Sequence, residues 1–291
     1  SHAAAYAVVA YQTAFLKCYY EAEFMTALLN SFISNSDKLS HYMRYIKQTG
    51  IQILLPDINR SKKLFSVEGE HIRFGLSALT NVGDSIGAVY EEREKNGDYA
   101  DFEDFVRRNT HAVNKSQLES LILSGCFDST GARRSQLMAV YETIYKNAQA
   151  DSRLAESGQM SLFAFGDEPV QAAKTALPDI PEYDMKTKLT LEKNKAGLYL
   201  SGHPLEEYAG ALRGRRGIGD ILEARNSEEK AEYYDGRSVE VLGIFTSLRV
   251  RSTKQTRQQM ASGNLEDMEG TIGVTIFPRI YAKYEELVRT D

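Results

Sequence analysis

Apolar residues run almost without interruption through AYAVVAYQTAFLKCYYEAEFMTALLNSF, residues 5–32, a stretch free of Gly and Pro that predicts two packed helices. The polar fraction then rises. In SDKLSHYMRYIKQTG the apolar positions keep helical spacing, with Ser36 or Asp37 as the N-cap and Gly50 as the stop. IQILLPDIN reads as extended and ends at Pro56. KLFSVEGEHIRFGL reads as a hairpin, since Phe65 and Val67 alternate on one side of a Glu-Gly turn and Ile72 and Phe74 on the other. Helical spacing returns at Leu76, Leu79, Val82, Ile86 and Val89, interrupted by the polar NVGDSIG. Far downstream the period becomes two: RSVEVLGIFTSLRVRST alternates Val239, Val241, Gly243 and Phe245 with their neighbours, GTIGVTIFP adds a strand after Glu269-Gly270, and RIYAKYEELV closes as a helix.

Helix, tight glycine-containing hairpin and second helix around NVGDSIG resemble the helix-hairpin-helix motif, in which the hairpin and the following helix start present backbone N–H groups to a phosphate. The usual first glycine is Asn81 here, a residue that also tolerates the left-handed conformation. Taken alone, the stretch reads equally as an ordinary helical turn. A second candidate, NKSQLESLILSGCFDSTGARRSQLM, places Gly125 in a hairpin and sends Arg133 and Arg134 into the next helix. Two such units in tandem favour straddling a DNA backbone, with Asn81, Val82, Gly83, Lys115, Gly125, Arg133 and Arg134 as the duplex-binding set.

Residues 150–195 change character, and four of the chain's six prolines fall between 169 and 204. Within SGQMSLFAFGDEP, Leu162, Phe163 and Phe165 fit neither helical nor strand spacing, which leaves a satellite cluster or a linear motif for a pocket on another protein. An extended linker leads to a helix in TKLTLEKNKAGLYL; SGHPLEEY is a turn and the start of another, with His203 beside Pro204 in a structural role. The final strand, bent strand, strand and helix fit a five-stranded oligonucleotide-binding barrel, with a last strand still needed at Asp291.

At 291 residues two or three domains are expected, and 42% hydrophobic with 26% charged residues is ordinary for a globular protein. The formal charge of −5 argues against a uniformly basic coat, yet local patches stand out at Arg107-Arg108, Arg133-Arg134 and Arg249, Arg251, Lys254, Arg257. No apolar run approaches the ~20 residues that span a bilayer. The amino end lacks a basic leader and an initiating Met, so no signal peptide is expected and the sequence reads as a piece of a longer chain. Cys18 and Cys126 in apolar surroundings predict buried thiols, and the five histidines lack metal-ligand spacing. No P-loop, dinucleotide fingerprint or Ser-His-Asp order is found.

SHAAAYAVVAYQTAFLK, EFMTALL, GIQILLPDIN, IRFGLSALTNVG, LESLILSGCFDS, LYLSGHPLEEY and VLGIFTSLRVR together, in this order, resemble the C-family replicative polymerases, the alpha subunits of bacterial DNA polymerase III. The resemblance implies a multidomain, mainly α protein with a C-terminal β-barrel: residues 1–62 as the end of a fingers domain, 63–165 as a clamp-binding domain with the tandem motif, 166–235 as linker and helical connector, and 236–291 as an incomplete OB-fold. It implies a segment that grips duplex and single-stranded DNA in the bacterial cytoplasm, beside a sliding clamp and other replicase subunits and away from membranes. QMSLF looks like the clamp motif, with Gln159, Met160, Ser161, Leu162 and Phe163 binding the clamp. His2 and Lys17 become candidates for the nucleotide or template channel, and Arg249, Arg251, Lys254 and Arg257 for single strands. The family's catalytic aspartates lie in an upstream palm, so no catalytic residue, no metal and no cofactor are expected in this segment, Mg2+ is expected in the palm, and the segment should be inactive alone. Two departures carry expectations. Glu21 replaces a usual proline, which predicts a longer helix around Tyr20, and QMASGNLEDMEG lacks a usual aromatic, which predicts a weak strand. The alternative is a free-standing repair accessory protein with helix-hairpin-helix and barrel modules.

Overall fold

The computed structural model describes residues 2–156, 174–208, 210, 217–225, 235–253 and 256–288. It divides into two compact units, Ser1–Ser201 and Gly202–Asp291. It is a mixed α/β structure, with helices and two small three-stranded sheets.

The first unit begins with α1 (His2–Tyr19), α2 (Glu21–Ser31) and α3 (Ser36–Gln48). Glu21 does not extend α1. The helix breaks at Tyr20, whose φ of −137° and ψ of 53° leave the helical region and make it the N-cap of α2. The cap of α3 is Asn35, one residue ahead of the expected pair: its side chain accepts the Lys38 N–H at 3.0 Å. Only α2 and α3 reach the core, through Met25, Leu29, Leu39, Met43 and Ile46. On α1, Tyr6, Val8, Tyr11, Phe15 and Tyr19 stay exposed, so the expected close packing of the first helix is not seen.

Next comes the first sheet, β1 (Ile53–Leu54), β2 (Ser66–Glu68) and β3 (His71–Arg73), in the order β1-β3-β2. The hairpin is the one the alternation predicts, with Gly69 at φ 64° turning it. Asn30 of α2 grips the backbone of Phe65 from both sides, donating to its carbonyl at 3.0 Å and accepting its N–H at 2.9 Å. Gly75 then passes so close to Leu64 and Phe65 that a Cβ would stand 2.4 Å from the Phe65 nitrogen. The remaining helices are α4 (Ile86–Asn96), α5 (Phe102–Arg108), α6 (Lys115–Leu123), α7 (Arg134–Glu156) and α8 (Met185–Ala196). One apolar cluster runs from Met25 through Phe74, Val82, Phe105 and Phe127 to Ala196, so the hairpins described below rest on a single core.

The second unit holds α9 (Ile218–Arg225), β4 (Ile244–Ser252), β5 (Gln259–Glu266), β6 (Thr271–Ile276) and α10 (Pro278–Tyr284). The strands form an antiparallel meander in the order β4-β5-β6, and no closed barrel is formed among the described residues. Residues 237–243 are not strand, and β5, expected to be weak, is the central strand, paired along both edges. Small residues make this possible. Ala261 is fully buried, and Gly263 pairs with Leu248, next to the bulge between Phe245 and Ser247, where a Cβ would run into the Ser247 carbonyl oxygen. Phe277 is 66% exposed at the N-cap of α10, whereas Tyr281 one turn later is buried. No helix among the described residues is long and apolar enough to cross a membrane.

Candidate nucleic-acid interface

Asn81 and Gly83, at φ 67° and 61°, are two left-handed residues flanking Val82, and they fold the chain back between a single 3-10 turn at Leu76–Ala78 and the start of α4. The expected first helix is therefore only that one turn, because Gly75 and the left-handed Asn81 bound it closely. Leu79, Val82 and Ile86 are buried, and this anchoring leaves Thr80, Asn81, Gly83, Asp84 and Ser85 exposed. Val82 is thus a core residue, and its N–H donates to the Leu79 carbonyl. The N–H groups of Gly83, Asp84, Ser85 and Ile86 have no acceptor among the described residues. Successive free N–H groups in a turn leading into a helix start form a concavity suited to an anion. A Cβ on Gly83 would meet nothing within 4 Å, so its requirement is the positive φ and not space.

Gln117 holds this hairpin from behind. Its Nε2 donates to the Val82 carbonyl at 2.8 Å and to Ser85 Oγ at 2.6 Å, while its Oε1 accepts the Asn114 N–H at 2.9 Å. Asn114 in turn accepts the Gln117 N–H, completing a capping box at the start of α6. The sequence carries this signal in Asn114-x-x-Gln117; what it does not carry is the second use of the Gln117 amide.

The second hairpin is built differently and is already satisfied. The N–H groups of Ser124, Gly125 and Cys126 donate to the carbonyls of Ser120, Ile122 and Leu121. Gly125, at φ 85°, packs against the Arg134 guanidinium, which lies where a Cβ would be. Arg134 is 2% exposed and offers no charge to an outside phosphate: it is paired with Asp128 at 2.7 Å and with the fully buried Glu192 at 2.9 Å, and it donates to the Leu123 carbonyl. The first N–H groups of α7, on Arg134 and Ser135, donate to the Glu182 carboxylate at 3.0 and 3.1 Å. Burial alone would raise the Glu182 pKa, but these N–H groups, with that of Tyr183, hold it below the usual carboxylate range. Hydrogen bonding by Arg133 to the Ile180 carbonyl and by Gln136 to the Pro178 carbonyl fastens the same strap.

Of the remaining expected duplex contacts, Arg133 is 46% exposed with Asp179 at 3.4 Å, and Lys115 is 50% exposed and paired with Glu142 at 2.8 Å. Arg108 grips Glu92 and lies 4.3 Å from the Tyr99 ring centroid, so that patch is internally neutralised. Lys17 sits 4.7 Å over the Tyr45 ring, and His2 is at the start of α1. Gln159, Met160, Ser161, Leu162 and Phe163 lie outside the described residues, as does Lys254. Arg249 and Arg251 are exposed on alternate positions of β4, opposite Ser262 and Met260, and Arg257 is exposed in the turn after it. Cys18 is exposed, against the expectation of two buried thiols; Cys126 is buried, and burial pushes its pKa up to about 12. Among the described residues no group of three or more His, Cys, Asp or Glu side chains is placed to hold a metal.

An open, core-anchored hairpin followed by a second hairpin in the same domain is the architecture of helix-hairpin-helix proteins, and residues 50–137 match the helix-hairpin-helix motif family. Along its whole length the chain is homologous to a segment of the DNA polymerase III alpha subunits. It is 37% identical to the DNA polymerase III subunit alpha of Borreliella burgdorferi over 99% of this chain and 25% of that protein. With the Thermus aquaticus subunit the identity is 36% over 100% of this chain and 23% of that protein. The Mycobacterium tuberculosis subunit gives 36% over 98% and 24%. The chain therefore spans about a quarter of the length of the curated relatives it matches.

Proposed function

We propose that this chain is a DNA-holding segment of a replicative DNA polymerase, which binds the phosphate backbone of duplex DNA without regard to sequence through the hairpin at 81–86. The observation that carries the reading is the set of free N–H groups from Gly83 to Ile86, inside the region that matches the helix-hairpin-helix family. The tandem works asymmetrically on this reading: the first hairpin meets DNA, while the second, filled by Arg134 and Glu182, braces it. Template-directed synthesis is the activity of the larger polymerase. Its catalytic carboxylates and their Mg2+ belong to another part of that protein, so this segment alone transfers no nucleotides.

Duplex binding should fall linearly with log salt, with a slope of about −2 to −4 if two to four phosphates are neutralised. Fluorescence anisotropy with two unrelated duplexes of equal length checks this, and a flat response, or a preference for one sequence, overturns the backbone reading. The second unit extends the reading to single strands. Arg249, Arg251 and Arg257 supply charge on and beside a partial oligonucleotide-binding sheet.

Gln159–Phe163 completes the proposal as a sliding-clamp motif. Burying Leu162 and Phe163 in a clamp pocket would gain roughly 1.5–3 kcal/mol each before the cost of ordering the segment, which gives micromolar binding that becomes effective only as a tether on DNA. Calorimetry with a bacterial clamp should show binding by the native chain and none by a Leu162→Ala/Phe163→Ala variant with unchanged helical content; equal binding by both would leave the segment a satellite cluster.

A further inference from the structure

A carboxylate at a phosphate-binding hairpin is an electrostatic contradiction, and this hairpin has one. Asp84 is 90% exposed, one residue past the left-handed Gly83 and among the free N–H groups. A phosphate seated there would meet a like charge at close range. The structure also holds the remedy. Lys63 Nζ lies 2.9 Å from Asp84 Oδ1, although Lys63 comes from the loop before β2 and belongs to no part of the hairpin. Its backbone is fixed beside the first turn of the motif: the Lys63 carbonyl accepts the Ser77 N–H at 3.0 Å and the Ser77 hydroxyl at 2.7 Å. Its stem runs along the start of α4, with Cδ 3.5 Å from where a Cβ on Gly87 would be. The Lys63 side chain is 38% exposed, so it is not sealed from solvent.

We propose that Lys63 is a phosphate-binding residue of this interface and Asp84 its counter-charge, so that DNA backbone and Asp84 compete for one ammonium. This rests on the duplex-binding reading and refines it. In the free protein Asp84 holds Lys63 over the hairpin, which keeps the cation where the next phosphate arrives. When a phosphate enters, the ammonium turns to it and the Asp84 carboxylate is left facing solvent. The grip is thereby weakened relative to an uncharged hairpin, which suits a contact that must release and re-form as the protein moves along the backbone. Neither residue is buried, so both can be exchanged without disturbing the core.

The test uses the full chain, a duplex of arbitrary sequence and three variants, Asp84→Asn, Lys63→Met and the double substitution, with anisotropy at several salt concentrations. Asp84→Asn should tighten binding about fivefold at low salt, the scale of removing one screened charge near a phosphate. Lys63→Met should weaken binding by a similar factor and make the salt slope shallower by about 0.9, the loss of one phosphate contact. The double variant should bind more weakly than Asp84→Asn alone, since the ammonium acts on DNA and not only on Asp84. Unchanged or weaker binding by Asp84→Asn, an unchanged slope in Lys63→Met, or a double variant equal to Asp84→Asn would each overturn the proposal. Amide shifts of Gly83–Ile86 in a 15N-labelled chain separate the two levels. If they do not move with added duplex, the hairpin does not bind DNA at all. If they move while the variants behave like the native chain, only the role of Lys63 and Asp84 fails.

Discussion

Replacing Glu192 with Ala should lower the unfolding free energy of the first unit by about 3–5 kcal/mol, the cost of leaving a buried charge without its partner. Glu192 is fully buried and accepts from four donor groups: the Arg134 guanidinium at 2.9 Å, the Ser201 hydroxyl at 2.8 Å, and the N–H groups of Leu200 and Ser201 at 3.1 and 2.9 Å. It therefore joins α7, α8 and the chain after α8 in one polar knot inside the apolar cluster. Without it, Arg134 keeps the Leu123 carbonyl and a single carboxylate, Asp128, which is 39% exposed. Replacing both ends, Arg134→Met with Glu192→Leu, should recover part of the loss because no buried charge remains, though the Leu123 carbonyl and two N–H groups then lack partners. Urea unfolding followed by circular dichroism at 222 nm measures both variants. A loss below about 1 kcal/mol for Glu192→Ala would mean that water reaches the site and the knot is not desolvated.

That knot also shows where the sequence stops being informative. The periodic stretches at 36–48, 66–73, 86–96 and 271–276 all form the elements their spacing predicts, because burial of one face is a local property of the pattern. Arg133 and Arg134 look alike in sequence, two adjacent cations entering a helix after a hairpin glycine. One is half exposed and the other is among the largest fully buried side chains, and the difference is made by Glu192, far along the chain. Lys63 and Gln117 were invisible as parts of the hairpin for the same reason: each reaches it from a distant stretch. Conversely, missing aromatics suggest a weak strand at 259–266, while the sheet there has room only for small residues at Ala261 and Gly263. The hairpin itself was legible, since Asn81 and Gly83 carry a conformational preference that belongs to the residues alone.

The hairpin's shape, as distinct from its presence, should depend on Gln117. A Gln117→Leu variant loses the bonds to Asn114, Val82 and Ser85 together, at a cost of about 1–3 kcal/mol in stability, and its DNA affinity should fall roughly tenfold because the N–H groups from Gly83 to Ile86 no longer share one fixed orientation. Loss of affinity in that variant alone could follow from fraying of α6. Gln117→Glu separates the two effects. A carboxylate can still accept the Asn114 N–H and keep the capping box, and it can accept the Ser85 hydroxyl proton, but it has no proton to give the Val82 carbonyl, so the helix start survives while the bond to the hairpin backbone is lost. Both variants should bind duplex DNA more weakly than the native chain when compared well below their melting temperatures, and for Gln117→Leu the salt slope should be unchanged because no charge has been added or removed. Native affinity in a folded Gln117→Glu chain would show that Asn81 and Gly83 set the hairpin's geometry without help from α6, and the second hairpin would then be a neighbour of the first and not its brace.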